Sequence, residues 1–125
     1  MKQKTKTRRA WIISIAMLVV LSLPTVALAE TTVQNYTNGT HTFSSSWKES
    51  KTITYNGAQC VLTYGFDTTL INEDYVYAYT NGAIHRSKVK NSNGTYYGPY
   101  VVANAWSDQE VVHAGASITY SHLWQ

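Results

Sequence analysis

The chain has 125 residues, with ten Lys and Arg against seven Asp and Glu and a formal net charge of +3. Five of the ten cations precede Ala29 and no acid does, so the remaining 96 residues hold five cations and seven acids, a net charge of about −2. Without an extended basic footprint, nucleic acid is excluded as the expected partner. Ninety-six residues are enough for one domain with a single core.

Residues 1–29 have the anatomy of a bacterial secretory signal peptide. A basic start is followed by an apolar run over residues 10–23 and by a small-residue cleavage pattern that ends at Ala29. The apolar run is too short for a comfortable membrane-spanning helix. We therefore predict a signal helix that is cleaved after Ala29, and a secreted, extracellular protein that comprises residues 30–125.

Asn-Gly pairs divide the rest of the chain at four places: Asn38-Gly39, Asn56-Gly57, Asn81-Gly82 and Asn93-Gly94. Both residues tolerate the positive φ of a two-residue hairpin turn. Each pair separates runs rich in Tyr, Thr and Val, which predicts hairpins between residues 31–37 and 40–47, 51–55 and 59–66, 75–80 and 83–90, and 83–90 and 95–106. With a last strand at 117–124, about eight antiparallel strands form a small all-β sandwich or barrel. Longer crossovers are expected near residues 44–46 and 67–69.

Three of the five cations of residues 30–125 alternate along one predicted strand, namely Arg86, Lys88 and Lys90. Alternation places them on one face of the strand, roughly 6.5–7 Å apart. Such a strip has two interpretations. It protects an exposed edge strand against aggregation, or it recognises an anion such as phosphate or pyrophosphate.

The second half of the chain is rich in aromatic residues, including Tyr96, Tyr97, Tyr100 and Trp106. Tyr and Trp combine an apolar body with a polar tip, so they suit contact with sugars or with a membrane surface. The alternative is ordinary core and cross-strand packing. We take Tyr96, Tyr97 and Trp106, together with the cationic strip, as the candidate target-binding residues.

No catalytic or metal-binding constellation emerges from the sequence. The four His residues lack ligand spacing, and the acidic group Asp67, Glu73 and Asp74 fits either a solvated turn or a weak calcium site. Cys60 is the single cysteine, either a small buried side chain or half of an interchain disulfide. We therefore expect no enzyme activity, no cofactor and no metal.

Several segments resemble the lactococcin 972 family of secreted bacteriocins. They are residues 79–94 (Tyr-Thr-Asn-Gly-Ala-Ile-His-Arg-Ser-Lys-Val-Lys-Asn-Ser-Asn-Gly), 101–106 (Val-Val-Ala-Asn-Ala-Trp), 115–117 (Gly-Ala-Ser) and the aromatic end at 120–124. Residues 75–125 thus form a bacteriocin-like half. Residues 30–74 form an additional β-rich segment that shorter family members lack in this form.

The resemblance implies an antiparallel β-sandwich, often dimeric, and an antimicrobial protein active against related Gram-positive bacteria. It further implies that the target is a cell-envelope component, the lipid-linked precursor of cell-wall peptidoglycan, and that wall synthesis is inhibited. The pyrophosphate of that precursor would suit Arg86, Lys88 and Lys90. A second function compatible with the composition is a secreted adhesion or carbohydrate-binding module, which an exposed coplanar row of Tyr and Trp away from a cationic strip would favour.

Overall fold

The computed structural model describes residues 29–125, and the predicted signal peptide up to residue 28 lies outside the described residues. The described chain forms eight strands: β1 (Thr31–Thr37), β2 (Trp47–Tyr55), β3 (Ala58–Asp67), β4 (Glu73–Thr80), β5 (His85–Asn91), β6 (Gly94–Tyr97), β7 (Trp106–Val112) and β8 (Thr119–Trp124). All pairings are antiparallel. The first sheet has the order β1-β8-β5-β6 and the second the order β2-β3-β4-β7, so the predicted all-β sandwich is confirmed.

The sandwich is held together by the inner faces of the two sheets. Alternate residues of β3, β4 and β5 are buried, and so are four successive residues of β8. With Ile118, these strands form a cluster of Leu62, Tyr64, Val76, Ala78, Val89, Ile118 and Tyr120. The rings of Tyr64 and Tyr120 stack across the two sheets with centroids 4.7 Å apart. Because burial along β3, β4 and β5 has a period of two, the opposite residues of these strands belong to the two outer faces of the sandwich.

Two of the four predicted hairpins are present. Asn56 and Gly57 turn β2 into β3 with φ values of 48° and 79°, which both residues adopt at low cost. The hairpin of β5 and β6 forms around the fourth Asn-Gly pair, although Asn91 pairs with Gly94, so the two loop residues are Ser92 and Asn93.

The hairpin predicted at Asn38-Gly39 is wrong. β1 pairs with β8, and the following residues leave the first sheet as a loop that leads to β2 in the second. The Asn38 side chain is buried and fixes this exit: its amide donates to the carbonyls of His41 and Ala116, and its oxygen accepts from the Ile118 N–H. The crossover expected near residues 44–46 is therefore present in this loop.

The hairpin predicted at Asn81-Gly82 is also wrong. β4 already lies between β3 and β7, and β5 lies between β8 and β6, so the two strands occupy different sheets. Asn81 extends the pairing with β3, because its side chain accepts from Gln59 N–H and its own N–H donates to the Gln59 carbonyl. The chain then crosses between the sheets. The segment near residues 67–69, predicted as a crossover, instead connects β3 and β4 within one sheet.

The predicted strand at residues 95–106 is divided in two. β6 ends at Tyr97, and the chain crosses the sandwich before β7 begins at Trp106 in the other sheet. Gly98 lets the chain pass close to β5 here, because a Cβ at this position would lie 2.2 Å from Ser87 Oγ, and Pro99 has no N–H to continue the strand pairing. Residues 29–125 contain no helix that could cross a membrane.

Candidate functional site

The cationic strip lies on the outer face of β5. The strand alternates strictly, with His85, Ser87 and Val89 buried and the three cations facing outwards. β5 is an inner strand of the first sheet, with β8 on one side and β6 on the other. The interpretation of the strip as an edge-strand guard is therefore wrong, because this strand offers no free edge along its length.

Arg86 is the most constrained of the three cations. Its guanidinium carbon lies 3.9 Å from the ring centroid of Tyr97 and 4.4 Å from that of Tyr100. Its Nε and Nη2 donate to the two carboxylate oxygens of Glu30 at 2.7 and 2.9 Å, and the Tyr100 hydroxyl also donates to Glu30. The Arg86 guanidinium thus combines a bidentate ion pair with cation–π stacking. Bidentate pairing is the way in which Arg recognises a planar oxyanion.

The charge balance of this cluster is visible in its pKa shifts. Partial burial raises the pKa of Glu30, but the hydrogen bonds from Arg86 and Tyr100 outweigh it and leave that pKa below its ordinary value. Burial and the hydrogen bond to Glu30 raise the pKa of Tyr100 to about 12. At neutral pH the cluster therefore holds a carboxylate, a guanidinium and a neutral phenol.

Lys88 and Lys90 extend the cationic strip away from the Glu30 carboxylate. Lys88 is opposite Tyr97 in the β5–β6 register, with its Nζ 6.0 Å from the Tyr97 ring centroid. Lys90 is opposite Thr95 and is exposed. The outer face of the first sheet thus carries three cations in a line and an aromatic ring alongside them.

Two of the predicted target-binding residues lie elsewhere. Tyr96 is opposite Val89 and points inwards, where it packs against the core. Trp106 lies in β7 of the second sheet, next to Tyr79, with ring centroids 5.3 Å apart. The structure therefore brings together the three cations and Tyr97, and it separates them from Tyr96 and Trp106.

The sequence did not indicate that Glu30 and Tyr100 would contact Arg86. They are 70 residues apart, and no local pattern links them. The one available signal was position. Glu30 directly follows the predicted cleavage site, and β1 pairs with β8, the neighbour of β5, so the start of β1 lies near Arg86.

A buried hydrogen-bonded pair of histidines lies beneath the cationic face. His85 Nε2 donates to the Ala105 carbonyl at 2.9 Å, and His85 Nδ1 lies 2.9 Å from His122 Nε2. Gln34 follows, with its Oε1 2.9 Å from His122 Nδ1. The other end of the Gln34 amide is also engaged, because its Nε2 donates to the Lys51 carbonyl at 3.1 Å.

Burial sets the protonation of both imidazoles. Each is fully buried, and this desolvation lowers the pKa of His85 to about 4 and that of His122 to about 3, with the proximity of the two rings adding to the effect on His122. Both are therefore neutral at neutral pH. Sequence spacing could not find this pair, because the residues are 37 apart and meet through the β5–β8 register.

One member of the predicted acidic group, Asp74, does not lie in a solvated turn. Asp74 is fully buried in β4, where its two oxygens accept from Asn91 Nδ2 at 2.9 Å and face His113 Nδ1 at 2.8 Å. The imidazole of His113 packs against Phe43 and Phe66, with centroids 4.2 and 5.0 Å away. The Asp74–His113 pair therefore holds the residue after β7 against β4, and the His113 ring in turn packs on Phe43 of the loop after β1.

Residues 29–125 contain no group of three or more His, Cys, Asp or Glu side chains arranged to hold a metal ion. Cys60 is a free thiol with no exposed surface, and burial raises its pKa. Its Sγ lies 3.6 Å from Thr80 Oγ1 in the sandwich interior. An interchain disulfide would require the sandwich to open, so the structure favours the interpretation of Cys60 as a buried packing residue.

No protein-family model, curated protein or solved structure matches the chain. The resemblance to the lactococcin 972 family therefore stays a prediction from the motifs alone.

Proposed function

We propose that the protein is a secreted, bacteriocin-like antibacterial protein that binds the lipid-linked precursor of peptidoglycan and thereby blocks wall synthesis. The observation that carries the proposal is the cationic strip on the outer face of an inner strand. Arg86, Lys88 and Lys90 occupy successive outward positions of β5, and Tyr97 lies beside them.

The chemistry of the strip fits a pyrophosphate ligand. Arg86 already binds an oxyanion, the Glu30 carboxylate, through two parallel hydrogen bonds, and phosphate oxygens are recognised in the same way. Lys88 and Lys90 act as point charges at intervals of roughly 6.5–7 Å along the strand, which suits a ligand with more than one anionic group. Tyr97 adds an amphipathic surface for the membrane interface at which such a precursor is presented.

Inhibition by sequestration needs no chemical step by the protein, and the proposal assigns none. The protein would bind a precursor that wall-building enzymes require and would keep it from them. The proposal includes contact with the membrane surface and allows the homodimer that the family resemblance implies.

The test is growth inhibition of related Gram-positive bacteria by the purified mature protein, with the precursor added as a competitor. We expect inhibition that the precursor relieves, and we expect the double variant Lys88→Gln/Lys90→Gln to lose most of it. The matched control is Lys48→Gln/Lys51→Gln, which removes the same charge from β2 in the other sheet. Equal inhibition by the two double variants, or inhibition indifferent to the precursor, would contradict the proposal.

A further inference from the structure

The outer face of the second sheet carries a row of aromatic rings. β4 alternates strictly, with Asp74, Val76, Ala78 and Thr80 buried and Tyr75, Tyr77 and Tyr79 on the opposite, outer side. Trp106 of β7 is opposite Tyr79 in the register and shares this face. We call these four residues, Tyr75, Tyr77, Tyr79 and Trp106, the aromatic row.

The rings of the aromatic row lie in two neighbouring pairs of similar tilt. Tyr75 and Tyr77 have centroids 5.1 Å apart and planes inclined by 30°. Tyr79 and Trp106 have centroids 5.3 Å apart and planes inclined by 39°. From Tyr75 to Tyr79 the row extends about 13 Å along the strand, at about 3.3 Å per residue.

A glycine lets one end of the row lie close to the sheet. Gly65 of β3 is opposite Tyr75, and a Cβ at Gly65 would lie 2.7 Å from the Tyr75 hydroxyl and 3.0 Å from Tyr75 Cζ. The Tyr75 ring therefore covers the bare backbone of Gly65, and its hydroxyl donates to the Trp47 carbonyl at 3.4 Å. The aromatic row therefore forms a shallow surface on the sheet and not an aromatic cage that encloses a ligand.

Polar groups border the row along β7. The Tyr77 hydroxyl donates to Glu110 Oε2 at 2.7 Å, and the Tyr79 hydroxyl donates to Asn104 Oδ1 at 3.3 Å. Asp108 is opposite Tyr77 in the register and shares the face. β4 and β7 contain no Lys or Arg. Along β7 the border therefore combines carboxylates, an amide and hydroxyls and carries negative charge. Lys48 of β2, opposite Gly65, places a cation beyond the Tyr75 end of the row.

We propose that the aromatic row is a binding surface for a neutral glycan chain. Sugar rings have apolar C–H faces that pack on aromatic rings, and their hydroxyls donate to amide oxygens such as that of the exposed Asn104. The negative border disfavours phosphates and uronic acids. The extended, shallow shape of the aromatic row suits a chain of sugar rings better than a single cation, which is best held by aromatic rings that surround it.

This surface is independent of the cationic strip. The strip lies on the outer face of the first sheet and the aromatic row on the outer face of the second, with the core between them. The two surfaces therefore cannot contact the same small ligand, and one chain can hold an anionic ligand and a glycan at the same time.

The test is affinity electrophoresis and calorimetry of the purified mature protein with soluble neutral polysaccharides: hydroxyethyl cellulose, mannan, starch and oligomers of N-acetylglucosamine. Alginate serves as an anionic control polymer. We expect binding to at least one neutral glycan and none to alginate. We expect Tyr79→Ala and Trp106→Ala to weaken this binding at least tenfold, whereas Tyr79→Phe, which keeps the ring, remains within about threefold of the parent. Circular dichroism establishes that each variant is folded.

The controls separate this proposal from the antibacterial one. Lys88→Gln/Lys90→Gln should bind the glycan as the parent does, whatever its effect on growth inhibition. No binding to any neutral glycan at millimolar sugar, or equal binding by Tyr79→Ala and the parent, would overturn the assignment. So would a dimer in analytical ultracentrifugation that Trp106→Ala dissociates, because the face would then be occupied by a second copy of the chain.

Discussion

Acid should destabilise this protein through the buried pair His85 and His122. Desolvation by burial holds their pKa values at about 4 and about 3, whereas an unfolded histidine titrates near 6.5. Between pH 6.5 and about 4 the unfolded chain therefore binds two protons that the folded chain excludes, and stability falls as the pH is lowered. At pH 5 each residue costs about 2 kcal/mol, together about 4 kcal/mol, a large part of an ordinary domain's stability.

The assay is urea unfolding, followed by tryptophan fluorescence at several pH values between 7.5 and 4.5. The reference is the variant His85→Gln/His122→Gln, which we expect to be less stable at pH 7.5 but less dependent on pH. NMR titration of the histidine ring protons gives a second measurement that does not depend on that variant folding. If His85 and His122 both became protonated above pH 6, or if the parent lost no more stability than the variant down to pH 5, the reasoning would be refuted.

Three further predictions concern other contacts. Glu30→Gln should strengthen binding of an anionic ligand at Arg86 about fivefold, because the Glu30–Arg86 ion pair, worth about 1 kcal/mol, no longer competes with the ligand. Calorimetry with the precursor would measure this affinity, and unchanged or weaker binding would show that the ion pair does not compete. Asn38→Ala should lower the free energy of unfolding by about 2–3 kcal/mol in urea titrations, since it leaves the buried Ile118 N–H without its acceptor, and exposed Asn93→Ala is the control that should lose less. Cys60 should react with a thiol reagent only at the rate of unfolding and should form no dimer on non-reducing gels, and fast labelling of the native protein would contradict its burial.

Local alternation was sufficient to predict which side chains face the core along β3 and β5. Cys60, Leu62, Tyr64 and Phe66 are all buried, and Arg86 and its two cationic neighbours all face outwards. Period-two burial is a property of a single strand, so it can be recognised without knowledge of the partners. The same pattern could not identify which face of β4 is outward, because its outward Tyr residues alternate with Val76 and Ala78, which are also apolar.

The pairing of strands could not be predicted in the same way. Asn56-Gly57 and Asn81-Gly82 are the same dipeptide, and both follow β-prone runs, yet the first closes a hairpin and the second leads into a crossover. What distinguishes them is a distant partner: the side chain of Asn81 accepts from the Gln59 N–H, on the strand before. Turn propensity is local, whereas the choice of sheet depends on which strand edges the rest of the chain has already occupied.

The position of β8 has a consequence for the order in which the first sheet can form. The last of the described strands, Thr119–Trp124, lies between β1 and β5, so the first sheet lacks an inner member until β8 is available. β1 has no other strand partner in the described chain, and a protein threaded outwards from its amino end would present β1 long before β8. If the chain is exported as proposed, this topology would delay formation of the first sheet until β8 has passed through the translocation channel, and the preceding strands would stay extended until then.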